Sequence, residues 1–215
     1  MKKNNSLDGH TRKRIYLFRH GEVNYMPEGK VVKDPNEVDL TDKGLMQARL
    51  IDKNTKNIHF ERILSSGLPI TIQTGAHMAE RRNIKIESYP QLKEYQWDPK
   101  SFKNNDVKQF GYLFENSKSK EAIGGIEEAD EFYERVVNQI QKILKEEWNQ
   151  IALVLHGAVN AAIMCWMSDI DISFASKFDQ DHAALNILDI DITENGKIIR
   201  KSIRRYNIPP DLSDV

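Results

Sequence analysis

The stretch Ile15-Tyr16-Leu17-Phe18-Arg19-His20-Gly21-Glu22 decides the fold. Its first four residues form a short, continuous apolar run, the pattern of a strand buried on both faces of a parallel sheet. Such a strand ends in a functional loop, and this one delivers Arg19 and His20. The same pattern returns far downstream, where the apolar run Ile151-Ala152-Leu153-Val154-Leu155 gives way to His156-Gly157 and then to a helix over residues 158–167.

Between these two strands, Thr41 caps a helix running to about Lys56, with Leu45, Ala48, Leu50 and Ile51 on its buried stripe. Residues 61–64 read as a strand that turns at Ser65-Ser66-Gly67 into a helix over 68–81, and residues 84–87 as a third strand. From Ile126 the positions Ala129, Phe132, Val136, Ile140, Ile143, Leu144 and Trp148 recur every three or four residues, the period of an amphipathic helix. Two closing strands, near 184–191 and 197–206, flank a hairpin turn at Glu194-Asn195-Gly196. Strands alternating with helices predict a three-layer α/β/α sandwich, mainly parallel with an antiparallel edge. In such sheets ligands bind beyond the carboxyl ends of the strands.

The chain has 215 residues, 40% of them hydrophobic, which suits one core. The expected organisation is a flexible N-terminal tail over residues 1–14, a single domain over 15–206 and a C-terminal tail over 207–215. Residues 23–40 read as a long surface loop. Residues 95–125, mixing aromatics such as Tyr95, Trp97 and Phe102 with lysines, read as a lid insertion. Lysine plus arginine (31) nearly balance aspartate plus glutamate (32), so no global field favours nucleic acid or an anionic membrane. The polar start of the chain makes neither a signal peptide nor an anchor, and a cytoplasmic protein is expected. The single cysteine, Cys165, forms no internal disulfide and is expected to be a small buried thiol.

Two histidines at strand ends, each followed by glycine, form a site if their strands are neighbours. Glycine lets the backbone come close to a ligand, and the helix that follows offers N–H groups to an anion. A metal site built from His20, His156 and His182 is disfavoured, because these residues show no ligand pair at helical or loop spacing. No cofactor is expected.

The chain resembles the histidine phosphatase superfamily, the phosphoglycerate mutase-like proteins, from Ile15 to about Ile192. The resemblance rests on Leu17-Phe18-Arg19-His20-Gly21-Glu22, Asp39-Leu40-Thr41-Asp42-Lys43-Gly44 with Gln47-Ala48, and Leu64-Ser65-Ser66-Gly67-Leu68-Pro69 with Gln73-Thr74. Leu92-Lys93-Glu94, Glu134-Arg135-Val136 and Val154-Leu155-His156-Gly157 complete it in the family's order.

It implies a phosphomonoester hydrolase that works through a phosphohistidine. His20 would be the nucleophile, with one ring nitrogen attacking phosphorus while the other donates to a backbone carbonyl. Arg19, a protonated His156 and backbone N–H groups, Gly157 among them, would hold the phosphoryl oxygens. Glu94 would protonate the leaving group and then act as base toward water. Glu22 would organise its loop, and Asn24, Ser65, Ser66 and the residue at position 70 would border the substrate.

Position 70 departs from the family, since Ile70 stands where a second phosphate-binding arginine is usual; Arg81, Arg82 and Lys93 are candidate replacements. Losing such a contact without replacement would cost on the order of a hundredfold. Met26 stands where many members have asparagine. The insertion holds five lysines (Lys100, Lys103, Lys108, Lys118 and Lys120) and no arginine, which favours phosphatase over mutase. The alternatives are mutase-type transfer and a weakened member that binds a phosphorylated ligand or protein. The expected partner is a small phosphorylated substrate, without nucleic acid or membrane, and a homodimer is left open.

Overall fold

A computed structural model describes residues 10–29, 32, 34–96 and 127–211. Its six strands are β1 (His10–Arg19), β2 (Arg62–Ser65), β3 (Ile86–Ser88), β4 (Gln150–Leu155), β5 (Leu185–Thr193) and β6 (Ile198–Ile208). Four helices separate them: α1 (Asp42–Thr55), α2 (Pro69–Arg82), α3 (Ala129–Leu144) and α4 (Gly157–Ser168). The strand order is β3-β2-β4-β1-β5-β6. β1 and β4 are parallel neighbours, as are β2 and β4 and β2 and β3, while β5 runs antiparallel to both β1 and β6. The three-layer, mainly parallel sandwich expected from the alternation is what the chain adopts.

Strand alternation sorts the core into two layers. Ile15, Leu17, Ile151, Leu153 and Leu155 point to the side covered by α3 and α4, where they meet Phe132, Val136, Ile140 and Ile163. Tyr16, Phe18, Ala152 and Val154 point to the other side, where α1 and α2 contribute Ile51 and Met78. Both faces of β1 and β4 are therefore covered, which is why their sequences are uniformly apolar. Cys165 is fully buried on α4, and that burial pushes its thiol up to about 11.

The first strand starts at His10, five residues ahead of the expected position, so residues 10–14 are not a tail. Arg12 sits directly across from Asp191 and Arg14 across from Asp189 in the β1–β5 ladder. Each guanidinium donates two hydrogen bonds to its aspartate, at 2.7 and 3.0 Å for Arg12 and 2.6 and 2.8 Å for Arg14. A basic segment that reads as solvated in isolation is paired here by acids 175 to 179 residues away. At the other end, β6 continues through Ile208, slightly beyond the expected boundary. α3 ends at Leu144, and Trp148 packs in the loop that follows, donating its indole N–H to the Ile143 carbonyl at 2.8 Å.

Most of the expected lid lies outside the described residues. Its first residue, Tyr95, is buried, with its ring edge-on to Phe132 and its hydroxyl donating to the Glu127 carbonyl at 2.7 Å.

The loop after β1 is pressed onto the first turn of α1. The Thr41 side chain accepts from the Gly44 N–H as the helix N-cap, while the Thr41 N–H donates to the Glu22 carbonyl. A Cβ on Gly21 would lie 2.7 Å from the Gly44 carbonyl oxygen, and one on Gly44 would collide with the backbone of Glu22. These two glycines set the distance between the His20 loop and α1. Gly44→Ala is expected to cost about 1–3 kcal/mol through this overpacking, read as a lower urea midpoint. Met46→Ala, on the exposed side of the same helix, should stay within about 0.5 kcal/mol of the parent. Equal midpoints for the two variants would contradict this packing.

Candidate active site

The β1–β4 register pairs Arg19 with Leu155, and the His20 N–H donates to the Leu155 carbonyl at 2.9 Å. The ladder thus runs one residue past the strands and sets His20 beside His156. Their ring centroids are 5.4 Å apart, edge to face. Both rings are buried.

The His20 Nδ1 lies 2.8 Å from the Gly21 carbonyl. A carbonyl only accepts, so Nδ1 carries the proton and Nε2 the lone pair. Burial, followed by the charges of His156 and Arg19, drives the His20 pKa well below that of a free imidazole. The ring is neutral across the physiological range, the state a nitrogen nucleophile needs.

His156 is fixed differently. Its Nε2 lies 2.8 Å from the Ser66 hydroxyl, while its Nδ1 is buried with no hydrogen-bond partner. Thr71 donates its hydroxyl hydrogen to the Leu68 carbonyl at 2.8 Å, so in the 3.0 Å contact between the two hydroxyls Ser66 is the donor. Ser66 is left to accept from His156, which places the proton on Nε2 and a lone pair on Nδ1. Burial first, then Arg19 and Arg135, lower this ring to about 3. The protonated His156 expected from sequence is therefore not the form that these surroundings favour. An unpartnered nitrogen gains a proton only once an anion stands against it.

Arg19 donates to the Gln180 carbonyl through Nη1, and its buried Nε has no partner. Its guanidinium lies against Gly157, where a Cβ would approach Nε to 3.4 Å. Glu94 is half-buried, with Oε1 accepting from the Tyr95 N–H at 2.9 Å and Oε2 from the Ala158 N–H at 3.2 Å. One amide of the α4 N-terminus, expected to serve an anion, is thus already taken by Glu94. Burial raises the Glu94 pKa above the ordinary carboxylate range, against the lowering by these backbone donors and Arg19. A carboxyl that retains its proton more readily than usual suits a group that must deliver one.

The remaining expected residues divide. Glu22 accepts from the Thr41 hydroxyl at 3.0 Å and pairs with Lys43 at 3.1 Å, organising its loop. The Ser65 hydroxyl accepts from the Gly67 N–H and makes a turn, whereas Ser66 holds His156. Asn24 is exposed, accepts from the Met26 N–H, and borders a separate surface depression with Asp34 and Glu37. Ile70 is only 2% exposed and packs with Leu40, Ala48 and Leu68, so it presents no polar group to a substrate. Arg81 and Arg82 lie at the far end of α2, about 16 Å along the helix from Ile70, and are engaged by Asp52 on α1. They do not replace an arginine at position 70.

Sequence reasoning missed Tyr25, and it singled out Arg135 and His182 without giving either a role. Tyr25, half-buried, lies close enough to Glu94 and Arg19 that both charges act on its hydroxyl, whose pKa is raised mainly by desolvation. Its signal was an aromatic residue in an otherwise polar loop directly after Arg19-His20-Gly21-Glu22. Arg135 donates to the carbonyls of Gln91 at 2.6 Å and Lys93 at 3.0 Å, anchoring the segment that carries Glu94 to α3. His182 stands with its ring centroid 5.6 Å from that of His20. Among the described residues, no group of three or more histidine, cysteine, aspartate or glutamate side chains is arranged to hold a metal ion.

The comparisons with known proteins agree with this geometry. The profile of the histidine phosphatase superfamily (branch 1) matches residues 15–202, and the chain belongs to that superfamily. Phosphoserine phosphatase 1 of Hydrogenobacter thermophilus is 26% identical over 191 residues, 85% of this chain and 89% of its own length. The probable phosphoglycerate mutase GpmB of an Enterobacter species is 31% identical, but over 81 residues, 38% of this chain and 37% of its own. Among solved structures, a mycobacterial glucosyl-3-phosphoglycerate phosphatase superposes with a TM-score of 0.75 at 17% identity, covering 92% of this chain and 99% of that one. No helix among the described residues is long and apolar enough to cross a membrane.

The buried histidines make stability depend on pH in a definite direction. An unfolded imidazole titrates near about 6.5, whereas His156 and His182 titrate at about 3 and about 4 in the fold. The unfolded chain therefore binds more protons between these values, and stability falls as pH drops from about 6.5 toward them. Glu94, raised in the fold, acts in the opposite sense above its unfolded value, but as one group against several. The melting temperature is expected to drop between pH 7 and pH 5, and to drop less in His156→Gln. Identical pH dependence in the variant and the parent would show that His156 is not held neutral.

Proposed function

We propose that the chain is a phosphomonoesterase that acts on a small phosphorylated metabolite through a phosphohistidine at His20. The observation that carries this reading is the fixed tautomer of His20, with Nδ1–H held by the Gly21 carbonyl and Nε2 free, next to Arg19 and the unpartnered Nδ1 of His156. Nε2 attacks phosphorus and the P–O bond to the leaving group breaks. The departing oxygen takes the proton of Glu94. Arg19 and His156, the latter protonated once the dianion is bound, hold the equatorial oxygens. Water then attacks the phosphohistidine, giving its proton to Glu94 while the phosphoryl group leaves His20 as inorganic phosphate. Tyr25 stands near the carboxyl and closes that side of the site.

Hydrolysis rather than mutase transfer is supported by the kind of relative that matches along most of the chain: the phosphatase relative spans 85% of it, against 38% for the mutase relative. The names of the relatives support a substrate with a carboxylate or sugar near the phosphate.

His20→Ala is expected to abolish release of phosphate from p-nitrophenyl phosphate. The wild type, quenched during turnover, should carry a phosphoryl group on His20 that is labile in acid and stable in alkali. Turnover that survives in His20→Ala would overturn the reading. Failure of the wild type to hydrolyse any of a broad phosphoester panel would favour a ligand-binding member instead.

Glu94→Gln is expected to lower kcat by about 10²–10⁴-fold on an alkyl phosphate, whose alkoxide needs a proton. The loss should be much smaller on p-nitrophenyl phosphate, whose leaving group departs as a stable anion. Equal losses on both would remove Glu94 from the role of acid.

A further inference from the structure

A phosphate monoester brings two negative charges into a site whose fixed cation beside His20 is Arg19. Ile70 is apolar and packed away, and Arg81 and Arg82 are committed to Asp52. One further group with N–H donors faces the nucleophile. His182 lies on the segment between Gln180 and Ala184, with its ring 5.6 Å from that of His20 at an interplanar angle of 50°.

That segment is held from several directions. The Ala183 N–H donates to the His20 carbonyl at 2.9 Å, and the Arg19 N–H donates to the Ala184 carbonyl at 3.1 Å. The Gln180 carbonyl accepts from Arg19, and its side-chain oxygen accepts from Asn160 at 3.2 Å and Asn186 at 2.9 Å. Asp181 exchanges two hydrogen bonds with Asn207, at 2.8 and 2.9 Å. Ala183 and Asn207 both adopt left-handed backbone conformations, with φ of 62° and 48°. Neither is a glycine. Strain of this kind persists only where surrounding contacts impose it, and here the contacts fix the residue between Asp181 and Ala183 against the nucleophile.

We propose that His182 is a third phosphate-binding ring of this site, donating to a non-bridging phosphoryl oxygen alongside Arg19 and His156. The proposal rests on the phosphatase reading above and adds a substrate-binding residue to it. Burial and then Arg19 keep the ring neutral, against Glu22 and Asp181, while Lys43 acts in the same direction as Arg19. A neutral imidazole already offers one N–H. A dianion in front of it favours a second proton, as at His156.

The test uses the full chain and inorganic phosphate as the probe. Binding is measured calorimetrically for the wild type, His182→Ala, His182→Phe and His182→Asn, with p-nitrophenyl phosphate turnover and melting temperature read in parallel. The phenylalanine variant keeps the ring and its packing but has no donor; the asparagine variant keeps a donor. Phosphate affinity is expected to fall about ten- to hundredfold in His182→Ala and His182→Phe, with a matching rise in KM, and to recover in part in His182→Asn. Unchanged affinity in His182→Phe overturns the proposal, because shape without a donor would then suffice. So does a wild type that binds no phosphate. A wild type that binds phosphate through His182 but turns over no ester would leave the inference standing and remove the phosphatase reading.

Discussion

The parallel pairing of β1 with β4 is the constraint from which the rest follows. Its last hydrogen bond, from the His20 N–H just past β1 to the carbonyl of Leu155 at the end of β4, brings two histidines 136 residues apart to a centroid distance of 5.4 Å. Because both strands are buried on both faces, a slip in register would misplace apolar side chains in two packed layers at once. The separation of the two rings is therefore supported by the whole core.

Each ring then receives its tautomer from its own surroundings. His20 obtains it from the carbonyl of the next residue, and His156 from the Ser66–Thr71 hydroxyl pair after β2. The two arrangements are opposite in effect. One leaves a lone pair on the Nε2 of His20, the atom that attacks in the proposed mechanism; the other leaves the Nδ1 of His156 unpartnered and open to a proton beside a bound anion. Glu94 is caught between desolvation, which raises its pKa, and the backbone donors of Tyr95 and Ala158, which lower it.

Much of this was legible in the sequence, for reasons that can be named. Apolar runs marked β1 and β4 because strands covered on both faces cannot alternate, and the α3 stripe marked itself by its period. Gly21 and Gly44 appeared in matching segments, but only coordinates reveal that each excludes a Cβ against the other's neighbourhood. Gln47 and Gln73 appeared there too, and their tasks are to accept the backbone N–H groups of Glu22 and Leu40. What stayed hidden depended on distant partners. Arg12 and Arg14 read as a solvated tail because Asp189 and Asp191 lie near the other end of the chain. Arg135 stood in a matching segment without a task, because its acceptors are backbone carbonyls, which leave no mark in a sequence. Arg81 and Arg82 were offered for the vacant arginine, yet they lie at the wrong end of α2.

The most direct measurement is a crystal structure of the chain with orthovanadate. Vanadium is expected on the Nε2 of His20, with Arg19 and the Nδ1 of His156 each within hydrogen-bonding distance of a vanadate oxygen. An anion seated away from His20, or bonded to it with the Nδ1 of His156 out of hydrogen-bonding reach, would contradict the account.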